Sequence, residues 1–288
     1  MSWQWLCCGC WLLAAGGCAR WITVPAEEPS QLPPIKAAPD AVMLDVAFVK
    51  QAAADLEEYD AIWAAADEQG LPIDLRRELE SNGFRAGVFG QELPPKLREL
   101  VERPATDVQV HGQEADSAHG EVGGNRQHLQ LRTGVWKKIY ASPTHPYLAV
   151  LLHEGGSVHG HQLTAAQCLF GLKSYPKGDG RVKLDLTPEI EHGELKARFI
   201  RSEAQLVQNI GRDRLPLEQL RIEAVLSPGQ WLLLSTTRAA KGLGENFFIQ
   251  SPSGAQQRTL LLVRVAQTQL DDLFAPEHAA SPLATPGD

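Results

Sequence analysis

The stretch RVKLDLTPEIEHGELKARF at residues 181–199, followed by LEQLRIEAVLSPGQWLLLSTT at residues 217–237, decides the fold of this chain. Apolar and polar side chains alternate along both segments, and Pro and Gly interrupt the alternation. Alternation with a period of two, bounded by such turn residues, is typical of antiparallel strands with one buried face. Three strands are therefore predicted from the apolar positions Val182, Leu184 and Leu186; Leu195, Ala197 and Phe199; and Leu220, Ile222, Ala224 and Leu226.

A Ser-Pro-Gly-Gln turn at Ser227–Gln230 separates the last two apolar runs of this stretch. Because Pro and Gly favour a chain reversal, Leu217–Leu226 and Trp231–Thr236 are predicted to pair antiparallel as a hairpin. In such a hairpin Ile222 and Leu233 would share one buried face.

The chain from Arg126 to Leu270 carries further strand-like segments and few helical ones. The additional strands are predicted at Gln127–Thr133, Val135–Ala141, Tyr147–His153, Gln162–Leu172, Phe247–Ile249 and Thr259–Ala266. Many short strands with turn signals indicate a sandwich, or a sheet packed on a smaller unit. We therefore predict an α+β fold that is mainly antiparallel β-sheet, with residues 126–274 as a β-rich domain.

Residues 41–104 mix the two periodicities and are predicted to form a small α/β unit. Its elements are a strand at Val42–Phe48, helices at Leu56–Ala66 and around Leu75 and Leu79, a strand at Phe84–Phe89 and a helix at Pro95–Val101. Asp74 is predicted to cap the second helix. Polar, Gly-rich residues 105–125 read as a linker or long loop, and residues 275–288 as a flexible tail.

The first 18 residues carry the strongest functional signal. Leu6–Gly17 is short and apolar, which fits the core of a secretory signal peptide and is too short to span a bilayer. The segment ends Ala14-Ala15-Gly16-Gly17-Cys18, which resembles the bacterial lipobox, where the Cys becomes lipidated. Residues 1–17 are thus predicted to be a lipoprotein signal peptide, Cys18 the lipidation site, and the Pro-rich residues 18–40 a tether.

Charge and apolar content narrow the classes of partner. The formal net charge of the 288 residues is −8, so no overall basic field draws the chain to nucleic acid. No stretch is apolar enough for a transmembrane helix. The predicted partners are a membrane, reached through the lipid anchor, and another envelope protein.

Four of the five cysteines lie within the first 18 residues, which leaves Cys168 alone in the body of the chain. Because its neighbours in AAQCLFGL are apolar, Cys168 is predicted to be a buried, inert thiol. The three tryptophans of the body, Trp63, Trp136 and Trp231, also lie in apolar patterns and are predicted to pack in the core.

The best candidate for chemistry is the segment HEGGSVHGH at His153–His161. His159 and His161 are two residues apart, so on a strand both imidazoles would project from one face, where they could share a divalent metal with His153. The segment does not complete HExxH, because Ser157 stands where the second His would be. Nor does it complete a GxSxG elbow, because His159 replaces the last Gly.

No other segment completes a catalytic or nucleotide-binding motif, so two functions are open from the sequence. The first is a non-enzymatic, membrane-anchored lipoprotein of the bacterial envelope, facing the periplasm and acting through protein contacts in secretion or envelope assembly. Under this first hypothesis we expect no catalytic residue and no cofactor. The alternative is a metal-binding protein or metal-dependent enzyme that uses His153, His159 and His161.

Two resemblances bear on the first function. RVKLDLTPEI followed by SPGQWLLLS resembles the β-domain of secretins, which implies strand pairing across residues 181–237. Secretins continue with a Gly-Gly pair, where this chain has Ser235, Thr236 and Thr237, so the resemblance does not imply a pore. The chain as a whole resembles predicted lipoproteins of planctomycete-type bacteria, which implies an envelope location and supplies no mechanism.

Overall fold

The computed structural model describes residues 41–102, 126–202, 205–251 and 254–268. All of them belong to one compact unit, residues 37–288. The predicted signal peptide, Cys18, tether, linker and tail lie outside the described residues. The helices are α1 (Leu56–Ala64), α2 (Ile73–Ser81), α3 (Pro95–Glu102) and α4 (Gly242–Phe248). The strands are β1 (Ala41–Ala52), β2 (Phe84–Phe89), β3 (Arg126–Arg132), β4 (Lys137–Tyr140), β5 (His145–Glu154), β6 (Ser157–Pro176), β7 (Val182–Ser202), β8 (Gln205–Pro216), β9 (Ile222–Leu226), β10 (Trp231–Thr236), β11 (Ile249–Gln250) and β12 (Gln257–Thr268), with a 3₁₀ helix at Glu218–Leu220.

The first sheet has the strand order β2-β10-β12-β1-β3, and β11 also pairs with β12. All its pairings are antiparallel. The two strands of the predicted α/β unit, β1 and β2, are therefore not neighbours, because β10 and β12 lie between them. Elements from both ends of the described chain build this one sheet.

The second sheet has the order β4-β6-β7-β8, with β5 also paired to β6 and β9 to β7. Its two longest strands, β6 and β7, have 20 and 21 residues, and each pairs with different partners along its length. The first half of β6 pairs with β5, and the second half pairs with β4 and β7. The half of β6 that pairs with β5 therefore extends beyond the region where β6 pairs with β4 and β7.

The main core lies between the two sheets. It joins Val46 and Leu261 of the first sheet to Phe170 and Leu184 of the second. A second core lies on the other face of the first sheet, where Leu233 and Leu262 pack against helices α1 and α3. Two facing antiparallel sheets with helices on an outer face confirm the predicted α+β fold.

The N-terminal elements follow the predicted order of strand, helix, helix, strand and helix. Their alternation or helical spacing places apolar residues such as Leu44 and Ile62 in the two cores. The predicted cap of α2 is wrong, since Pro72 occupies the N-cap position and Asp74 lies in the first turn. Pro fits a helix start because the first N–H groups have no intrahelical acceptor.

The prediction of two separate strands within residues 181–199 is wrong, because β7 runs continuously from Val182 to Ser202 and passes through Pro188. The Pro188 carbonyl accepts the Leu217 N–H at 2.9 Å, and in an antiparallel strand the backbone nitrogen faces the same side as the carbonyl. On that side the pairing with β9 ends at Leu186 and the pairing with β8 begins at Glu189. Pro188 therefore occupies a gap between two partners, where its missing N–H removes no ladder bond.

The predicted hairpin at Ser227–Gln230 is also wrong. Strand β9 pairs with β7 in the second sheet, whereas β10 pairs with β2 and β12 in the first. The turn carries the chain from one sheet to the other, with Gly229 at φ +88° and its N–H bonded to Val265 O at 2.7 Å. Ile222 is buried as predicted, but it lies in the main core and Leu233 lies in the second, so they do not share a face.

The strand predicted at Phe247–Ile249 is largely helical, since Phe247 and Phe248 end α4. The helix places the Phe247 ring 5.2 Å from the ring of Phe84 in the first sheet and 5.2 Å from that of Phe170 in the second. Aromatic pairs at this separation add stability beyond buried area. The stability gained by packing two adjacent rings in the main core explains why tertiary packing overrides the local strand propensity.

The isolated thiol and two of the tryptophans are buried as predicted. Cys168 is fully buried, and burial raises the pKa of its thiol to about 12. Trp63 and Trp231 are in the second core. Trp136 is only half-buried, which corrects its assignment to the core; its Nε1 donates to Glu189 Oε1 at 3.0 Å.

Candidate interaction surface on the β5–β6 ribbon

The predicted histidine cluster lies in a two-stranded ribbon formed by β5 and the first half of β6, residues 145–166, hereafter the ribbon. Residues directly opposite each other on two strands project to the same face, and neighbours along a strand project to opposite faces. The register pairs His153 with Val158, His159 with Leu152, and His161 with Val150. His159 and His161 therefore share the face of the buried Leu152 and Val150, whereas His153 projects from the other face.

The ribbon thus separates His153 from the other two histidines. Among the described residues, no group of three or more His, Cys, Asp or Glu side chains could hold a metal ion. The three-histidine site predicted from His153, His159 and His161 is not formed. His145, at the start of the ribbon, is half-buried, and burial lowers the pKa of its imidazole.

The outer face of the ribbon, defined as the face from which His153 projects, carries exposed apolar side chains. Its large apolar side chains are Tyr147, Leu151 and Val158, which are 81%, 56% and 54% exposed. The inner face instead buries Leu148, Val150, Leu152 and Leu163 in the main core. The ribbon therefore has one face that anchors it to the protein and one face whose apolar groups remain in water, an arrangement that marks interaction sites.

The edge of β5 is covered by two asparagine side chains. His153 donates its N–H to Asn82 Oδ1 at 2.8 Å, and Asn82 Nδ2 donates to His153 O at 2.9 Å. Farther along the strand, Asn246 Nδ2 donates to Ala149 O at 3.4 Å. Asn82 thus mimics a neighbouring strand by supplying one donor and one acceptor, which protects an edge that would otherwise pair with other chains.

Among the described residues, nothing covers the opposite edge of the ribbon in this way. Because the backbone groups of His153 point away from β6, those of its partner Val158 point away from β5, and the same holds for every second residue through Thr164. Strand β7 pairs with β6 only over Gln167–Pro176. Within the described part of the chain, no strand pairs with the outer edge of residues 157–164. This edge therefore offers its N–H and C=O groups to a further strand.

A kink at Ala165 explains where the ribbon leaves the second sheet. Ala165 has φ +47°, an uncommon conformation for a residue with a side chain. Its carbonyl accepts a bond from Arg212 Nη1 at 3.2 Å, which holds the kinked backbone against β8. On the N-terminal side of the kink, β5 is the one described strand that pairs with β6.

Asn82 is the residue at this site that the sequence did not reveal as functional. The Asn-Gly pair at Asn82–Gly83 marks the end of a helix, and α2 does end at Ser81. The side chain of a buried Asn needs partners, and here it finds them 71 positions away in the chain. The Asn-Gly pair was the available signal in the sequence, but the burial of Asn82 and its partner depend on the tertiary fold.

No protein-family model, no curated protein and no solved structure matches the chain. Of the described helices, none combines the length and the apolar character required to cross a membrane.

Proposed function

We propose that this protein is a non-enzymatic lipoprotein of the bacterial envelope, anchored to a membrane through Cys18, and that it acts through protein contacts made by the ribbon. The exposed apolar outer face beside a free strand edge is the observation that carries the contact part of this proposal. The leader that ends at Cys18 and the Pro-rich tether support the anchor.

The occupant of the ribbon is an extended segment of another envelope protein. A strand is the partner that satisfies the free N–H and C=O groups at the outer edge of residues 157–164, as in β-strand addition. Its side chains would alternate, so every second one would extend the apolar patch formed by Tyr147, Leu151 and Val158. Main-chain bonds would supply affinity, and the patch would select apolar side chains.

The proposal places the protein in secretion or envelope assembly, where anchored proteins hold or position others. It does not rest on the likeness of residues 181–237 to secretins, because the pairing which that likeness implied between β9 and β10 is absent. The proposal rests on the leader, the tether and the ribbon, which are independent of that pairing.

Lipidation at Cys18 is tested by feeding labelled palmitate to cells that produce the protein. We expect the wild-type chain to take up label and the Cys18→Ala variant to take up none, because Cys18 is the residue that would carry the lipid. Cys168→Ala is the matched control and should label like the wild type, since its thiol is buried. A wild-type chain that takes up no label would contradict the anchor.

A further inference from the structure

A cavity of about 410 Å³ lies between helix α2, the start of β2 and the turn at residues 237–241. Its apolar wall includes Leu79, Phe84 and Ala86, all buried residues. Its polar wall comes mainly from charged side chains. A cavity of this size falls within the range of sites for small molecules.

The charges around the cavity are unbalanced. Four cationic side chains line it, those of Arg76, Arg85, Arg238 and Lys241, against the carboxylates of Glu68 and Glu80. Arg85 is neutralised by Glu68, with Nη2 2.6 Å from Oε1, and Arg238 pairs with Asp60, which is not a lining residue. In a chain with a net charge of −8, a cavity with excess positive charge is a local exception.

Arg76 and Lys241 supply this excess. Neither forms an ion pair with any described residue. The exposed Glu80 is the one lining carboxylate other than Glu68. Because Arg76 belongs to α2 and Lys241 to the turn after β10, the two cations approach the cavity from different elements.

Two buried donors in the cavity wall lack acceptors. Arg76 Nε and Thr237 Oγ1 are inaccessible to water and have no hydrogen-bond partner among the described residues. Buried polar groups are nearly always paired, so two orphans in one wall are unusual. Because water cannot reach these two atoms, an anion in the cavity would contact the outer guanidinium nitrogens of Arg76.

The cavity is also rigid on the side of β2. The Arg85 guanidinium stacks 4.4 Å from the centre of the Trp63 ring, and Glu68 holds its other edge. Thr237 N–H donates to Gly83 O at 2.9 Å, which fixes the turn next to Asn82. Groups held in place before binding lose little entropy on binding.

We propose that this cavity binds a small organic anion whose carboxylate or phosphate group meets Arg76 and Lys241 and whose apolar body lies against the apolar part of the cavity wall. Charge-assisted hydrogen bonds from Arg and Lys are the usual means of holding such groups. This inference is independent of the proposed contact through the ribbon, because no residue of the cavity belongs to the ribbon.

The test is calorimetric titration of the purified full-length protein in neutral detergent with phenyl phosphate, with benzoate and with neutral benzyl alcohol. We expect saturable one-to-one binding of phenyl phosphate or benzoate, and binding of benzyl alcohol that is at least about tenfold weaker. The stronger of the two anions identifies the charged group. Binding should weaken with added salt.

The variants Arg76→Gln and Lys241→Gln should each weaken binding of the preferred anion by about tenfold or more, because each removes a charged donor. Arg77→Gln is the matched control, since Arg77 is exposed on the same helix, pairs with Asp74 and does not line the cavity. Lys241 is exposed, so its variant keeps the test valid if Arg76→Gln unfolds the protein. Failure of both anions to bind at about 10 mM, equal binding of benzyl alcohol, or unchanged affinity in Lys241→Gln would overturn the proposal.

Discussion

Replacing Gly83 with Ala is expected to lower the free energy of unfolding by about 3–5 kcal/mol, because the added methyl group meets backbone and the residue has positive φ. Gly83 has φ +82°, and a Cβ there would lie 1.8 Å from Lys241 O. The contact is reciprocal, since a Cβ on Gly244 would lie 1.8 Å from Gly83 O. A backbone cannot rotate away as a flexible side chain can, so α2 and α4 would have to separate.

The matched control for Gly83→Ala is Gly90→Ala. No heavy atom lies within 4 Å of a Cβ built on Gly90, so its free energy of unfolding should change by no more than about 0.5 kcal/mol. Urea unfolding of both variants gives the comparison. If the two variants lost the same free energy of unfolding, the close approach of Gly83 to Lys241 would not be part of the native structure.

Replacing Ile222 or Leu233 with Ala is expected to lower the free energy of unfolding by about 2–5 kcal/mol in each case, because the smaller side chain leaves a cavity in a fully buried site. Both side chains are inaccessible to water, but Ile222 lies in the main core and Leu233 in the second. The losses in free energy of unfolding are additive for substitutions that share no contacts. The Ile222→Ala/Leu233→Ala double variant should therefore lose the sum of the two single losses to within about 0.5 kcal/mol. Urea melts measure all three variants.

Glu223→Ala is the control for these two core substitutions. Glu223 is exposed and pairs with Arg221 and with Lys183 at 3.3 Å, so its loss should cost no more than about 1 kcal/mol. A coupling energy well above 0.5 kcal/mol between Ile222 and Leu233 would indicate that they pack together, as in the hairpin predicted from the sequence. That result would contradict the placement of β9 and β10 in different sheets.

The local pattern of apolar and polar residues was sufficient to predict most strands and the fold class. In β9, buried and exposed residues alternate as the apolar positions predict, and Ile222 is buried. In β1, residues 44–49 are all buried, because the main core covers one face of the strand and the second core covers the other. Which strand pairs with which was not predictable in this way. The turn at Ser227–Gln230 has the composition of a hairpin, and only the partners of its flanking strands show that it joins two sheets.

Of the candidate site, the sequence identified the segment but not its role. The spacing of His159 and His161 correctly places both on one face of a strand. His153 lies on the other face because the tight turn at Gly155–Gly156 pairs it with Val158, a register that the spacing does not specify. The free edge of β6 depends on where β7 stops pairing, and the cationic cavity depends on the docking of α2 on β2.

The most direct test of the ribbon as a contact surface is photo-crosslinking in living cells, with a photoreactive phenylalanine analogue in place of Val158. We expect one discrete light-dependent adduct with an envelope protein, lost when Gln162→Pro removes an outward N–H at the free edge. The same analogue at Val135, 50% exposed on the turn between β3 and β4, should give no such adduct. The absence of an adduct at Val158, or the same adduct from Val135, would contradict the proposed function.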